Sequence, residues 1–96
     1  MDRPRSVGIA WYEPGDYPRL LEAMAESGLP ASYATWLMSA TQVEREVARS
    51  GVEVRRVRVE PEAFLAWCRA RGDAPDARAR AAFVQERQGH QAPDGA

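Results

Sequence analysis

Two short runs fix the outline of this chain. "VGIAWY" at 7–12 and "VEVRRVRVE" at 52–60 are its only strand-like stretches, and about forty residues separate them in a sequence of 96. In the first, Val7, Ile9 and Trp11 alternate with Gly8, Ala10 and Tyr12, as expected of a strand with one bulky and one small face. The small face lets a helix or a second backbone come close. In the second, Val52 and Val54 share one parity and Val57 and Val59 the other. A bulge near Arg55-Arg56 restores one inward face; without it both faces are partly covered.

Helical patterns fill the rest. "EPGD" turns the chain. Asp16 is a good N-cap and Pro18 suits a first turn, where its missing N–H goes unused anyway. Tyr17, Leu20, Leu21 and Met24 then share an arc, and Gly28 and Pro30 end the helix. Ser32 caps a longer helix running to about Arg49, with Trp36, Leu37, Ala40, Val43 and Val47 on one face and Gly51 as its stop. Pro61 opens a third helix with Phe64, Leu65, Trp67 and Cys68 inward, stopped by Gly72. Asp73 to Asp76 resembles a capping box for a fourth helix over about 74–88. That helix has two apolar strips: Ala77, Ala81 and Val84, and nearly opposite, Ala79 and Phe83.

The expected fold is a small α+β domain, β-α-α-β-α-α, with four helices and a two-stranded antiparallel sheet. Residues 1–6 are expected to be a flexible N-terminus, 7–88 one globular domain and 89–96 a disordered tail. A two-stranded sheet is marginal alone. A homodimer that extends the sheet or shares a helix face, with Phe83 at the contact, answers that weakness.

Composition narrows the function classes. All thirteen basic residues are Arg, against fourteen acids, for a net charge of −1. Whole-chain charge therefore does not point to nucleic acid or an anionic membrane. The arginine-only usage fits a GC-rich bacterial genome. Residues 1–46 hold four Arg and seven acids, and 47–96 hold nine Arg and seven acids, an asymmetry that favours contact between the halves or between two copies but is weakened by screening. Cys68 stands alone, so no internal disulfide forms. No apolar run is long enough to span a bilayer, and "MDRPRSVG" lacks a signal-peptide core, so a cytoplasmic location is expected.

The chain resembles a group of short bacterial proteins with no assigned function. The likeness rests on "WYEPGDYPRL", on Tyr33, Trp36 and Leu37 as Y-x-x-W-L, and on "FLAWCRARGDAPDARARAAF". It covers about residues 7–88 and implies one compact domain; it implies no activity, cofactor or catalytic residue.

Chemistry-bearing residues are few. Cys68 follows Phe64 on the same helical face and reads as a packed thiol. One His and one Cys cannot build a zinc site, and no phosphate-loop pattern occurs, so neither metal nor cofactor is expected. Glu44 and Arg71 fall inside the apolar arcs of their helices and are expected to meet as a buried polar pair. Arg55, Arg56 and Arg58 crowd one strand, either as a solvated charged edge or as a ribbon for an acidic partner or nucleic acid. Tyr12, Tyr17 and Tyr33 join Trp11 either in the core or along an interface groove. The leading expectation is a non-enzymatic protein-interaction or regulatory module that self-associates. The alternatives are a nucleic-acid-binding regulator using the arginine strand, and an enzyme whose site is shared between protomers.

Overall fold

The computed structural model describes residues 6–24 and 28–90. Its elements are β1 (Ser6–Trp11), α1 (Tyr17–Ala23), α2 (Tyr33–Arg49), β2 (Glu53–Arg58), α3 (Pro61–Arg71) and α4 (Ala77–His90). This is a small α+β domain with four helices and a two-stranded sheet. Of the expected flexible N-terminus, 1–6, and tail, 89–96, residues 1–5 and 91–96 lie outside the described residues, while Ser6 begins β1 and α4 runs to His90.

The sheet corrects one expectation: β1 and β2 are parallel, in unbroken register from Ser6↔Glu53 to Trp11↔Arg58. The reason lies in the unequal helices. With 17 residues, α2 rises about 25 Å, enough to carry the chain back along the whole of a six-residue strand. With only 7 residues, α1 cannot make a second return, and it packs aside on α3. One effective crossover brings β2 in beside the start of β1, as parallel neighbours require.

Parallel pairing also explains the slipped alternation of β2. The unbroken register contains no bulge. Both faces are covered instead, as is usual for parallel strands. On one face, Trp11 stacks edge-on against Trp36 of α2 with centroids 5.1 Å apart. On the other, Val57 is buried beneath α4. The small residues of β1 face α4 there. A Cβ at Gly8 would lie 2.7 Å from Oε1 of Gln88 and 3.2 Å from a Val57 methyl.

Local signals set most helix ends. The Ser32 hydroxyl accepts the Thr35 N–H at 3.3 Å. Pro61 opens α3, and Gly72 ends it with φ of 74°. The N-cap of α3 is Glu60, whose carboxylate accepts the N–H groups of Glu62 and Ala63. One expected start, one expected stop and one expected cap bond differ. α1 ends at Ala23 rather than near Gly28. α4 begins at Ala77, because Asp76 is its cap and accepts the Ala79 N–H at 2.9 Å. Asp73 is therefore not part of a capping box and pairs with Arg71. Asp16 occupies the N-cap position of α1 without a side-chain cap bond.

Two aromatic groups organise the core. Around Trp36 gather Trp11, Tyr12, Tyr17 and Tyr33, with centroids between 4.7 and 6.0 Å from its ring. This group ties β1 and the two helices that follow it. The second group is Phe64, Trp67 and Phe83, packed edge to face where α3 meets α4. Val59, Leu20, Met24 and Cys68 belong to the same buried cluster.

Candidate functional site: the open edge of β1 and the cleft beneath α4

The tyrosine rings pack in or against the core. Tyr12 and Tyr17 are almost fully buried, and Tyr33 is half-buried. The Tyr17 hydroxyl donates to the Pro30 carbonyl at 2.6 Å, and the Tyr33 hydroxyl donates to the Tyr12 carbonyl at 2.9 Å. Each ring thus buries its body and binds backbone with its polar tip. Tyr12, though almost fully buried, also lines the floor of a cleft.

Phe83 is 1% exposed, enclosed by Phe64 and Trp67 and covered by the Arg87 guanidinium 4.7 Å from its centroid. It offers no surface to a partner. Cys68 is likewise buried, and burial first, then nearby Asp73, pushes its thiol pKa up. A thiol held protonated in the core is a poor nucleophile. Among the described residues, no cluster of three His, Cys, Asp or Glu is placed to hold a metal ion.

Glu44 and Arg71 each have a different partner from the one expected. Glu44 receives two hydrogen bonds from Arg56, from Nε at 2.7 Å and Nη2 at 2.9 Å. This fork, reinforced by the charge of Arg56, holds the Glu44 carboxyl below its ordinary range. Arg71 pairs with Asp73 at 3.0 Å and lies over the Trp67 ring. Neither side chain is buried, since half of Arg71 and about a quarter of Glu44 remain exposed.

The arginine strand is engaged within the chain. Arg55 is 3.5 Å from Glu53, Arg56 holds Glu44, and Arg58 holds Asp16 at 2.9 Å. The last bond explains why Asp16 does not cap α1. Arg56 also covers the Trp11 ring at 3.9 Å, so this cation roofs the aromatic group. A guanidinium already forked onto a carboxylate must break that pair before it meets a phosphate.

The two outer edges of the sheet contrast sharply. β2 carries Glu53, Arg55, Arg56 and Arg58 within its six residues. β1, "SVGIAW", carries no charge. The Trp11 carbonyl accepts the Val59 N–H, so the backbone groups of Trp11, Ile9 and Val7 face β2. By strand alternation, those of Gly8 and Ala10 face outward. Among the described residues no strand pairs with this edge.

Hollows flank the edge on both sides. On the α2 side, Ile9, Ala10, Trp36, Ala40 and Val43 line an apolar depression of about 240 Å³. On the α4 side lies an open cleft of about 550 Å³, bounded by Gly8 to Ala10, Tyr12, Leu29, Arg80, Ala81 and Val84. Neither Glu44 nor Arg71 lines it. Arg80, which the sequence reading did not single out, is its cation, and Nη1 donates to the Tyr12 hydroxyl at 3.0 Å. A signal existed: Arg80 lies on the apolar strip of Ala77, Ala81 and Val84, as Glu44 lies within the strip of α2. Burial raises the Tyr12 pKa, with Arg80 opposing in part, so the phenol stays protonated near neutrality.

No family model, no curated protein and no solved structure matches the chain.

Proposed function

We propose that this chain is a non-enzymatic protein-interaction module that self-associates through the open edge of β1. Two copies pair antiparallel along β1 and complete a four-stranded sheet. The observation that carries this reading is the contrast between the edges. Exposed edges are commonly protected by charge, as β2 is, whereas β1 has neither charge nor proline. Pairing β1 with its own copy sets no like charges opposite each other, whereas pairing β2 with itself would set arginine near arginine. Val7 and Val43, both markedly exposed for large apolar residues, border the same edge and gain cover in the pair. A two-stranded sheet also gains most from added strands.

The nucleic-acid alternative is less well supported, because the three strand arginines are committed to Glu53, Glu44 and Asp16. Amide hydrogen exchange tests the proposal. The Gly8 and Ala10 amides are expected to be protected in concentrated protein and to exchange rapidly on dilution. Rapid exchange of both at every concentration would refute the pairing.

A further inference from the structure

The cleft beside β1 and α4 holds one cation, Arg80, hydrogen-bonded to the Tyr12 hydroxyl. Tyr12 is 1% exposed, and its oxygen already accepts from Arg80. Its own O–H proton has no acceptor among the described residues. Arg80 spends one of its five N–H donors on Tyr12, and no carboxylate among the described residues pairs with the rest. Arg80 is half-buried, so its remaining N–H groups face the cleft and can meet an acceptor from outside. The Arg80 end holds one positive charge and no backbone nest, so it suits a single negative charge rather than a phosphate dianion. Away from Arg80 the walls are mixed: Ala10, Leu29, Ala81 and Val84 form an apolar strip, and Gln85 adds a polar side chain. The volume, about 550 Å³, is that of a small-molecule site.

We propose that this cleft binds a small monocarboxylate with an apolar body. One carboxylate oxygen accepts the Tyr12 O–H, the other accepts Arg80 N–H groups, and the hydrocarbon lies between Leu29 and Val84. The cleft adjoins the Gly8–Ala10 edge used for self-association, but the groups that would hold the carboxylate, Tyr12 and Arg80, lie outside β1.

The test is an NMR titration of the full chain with hexanoate, acetate and hexan-1-ol, following the Arg80 Nε–H and backbone amides. Hexanoate is expected to shift Arg80, Tyr12 and Ala81 to saturation. Acetate, lacking the body, and hexanol, lacking the charge, should each bind about tenfold more weakly. Arg80→Met should erase the advantage of hexanoate over hexanol, and Tyr12→Phe should reduce it. Equal binding of hexanoate and hexanol overturns the proposal. So do hexanoate shifts confined to exposed arginines such as Arg78 and Arg87, or no saturable shift at all. If Arg80→Met does not fold, the wild-type contrast between hexanoate and hexanol decides alone.

Discussion

β1 and β2 are hydrogen-bonded neighbours of equal length, yet they are secured in opposite ways. β1 is held by rings: Trp11 and the following Tyr12 pack on Trp36, and no charge lies within the strand. β2 buries only Val57, with Val59 just beyond the strand, and its arginines form ion pairs at the rim. The difference separates two jobs. Charged side chains leave the outer edge of β2 satisfied by water and by each other. The apolar edge of β1 has hydrogen-bonding groups on Gly8 and Ala10 and little to deter a second strand. The strand that contributes more to the core is thus also the one left open.

The contrast predicts unequal costs on removing an anchor from each strand. Trp11→Ala removes a nearly buried ring that touches Trp36 and lies beneath Arg56. It should cost about 3–5 kcal/mol by urea denaturation. A loss under about 1 kcal/mol would mean that the aromatic group does not secure β1.

The ion pair on β2 should matter much less. Glu44→Gln weakens the fork on Arg56, whose side chain is 52% exposed, so the screened cost is at most about 1 kcal/mol. Its pH dependence has a definite sign. The folded Glu44 pKa is lowered below the ordinary 4.5, mainly by the Arg56 hydrogen bonds. A lowered carboxyl pKa stabilises the fold above the unfolded value and loses that contribution as pH falls through the folded one. The wild type should therefore lose slightly more stability than Glu44→Gln on acidification below about pH 4.5, and the two should run parallel above it. Parallel curves throughout, by denaturation at several pH values, would mean that the pair contributes nothing.

Much of this was legible in the sequence where causes are local. Ser32, Pro61 and Gly72 mark helix ends by the hydroxyl, the ring and the positive φ that those positions need, and they fall where expected. Strand direction was not legible, because it depends on α2 alone spanning the return while α1 turns aside. That single unknown spread to the site. Parallel register places Arg56 opposite Ile9, on the face that meets α2, and so beside Glu44 and Trp11. The apolar arc around Glu44 announced that a cation was needed there, but not which one. Asp16 shows the same limit: good cap chemistry yields to an arginine forty-two residues away. Phe83 looked available because α4 has two apolar strips, and the pattern did not reveal that α3 covers one of them.

The most direct test of the central claim is the mass in solution by light scattering, for the wild type and for Val7→Arg. Val7 is 37% exposed at the edge of β1, so the arginine should change monomer stability by no more than about 0.5 kcal/mol. It would set like charges near each other across the paired strands. The account predicts a wild-type dimer that persists as salt rises, because apolar contact and backbone hydrogen bonds hold it, and a monomeric Val7→Arg. A wild-type monomer at all concentrations, or a dimer indifferent to Val7→Arg, would contradict it.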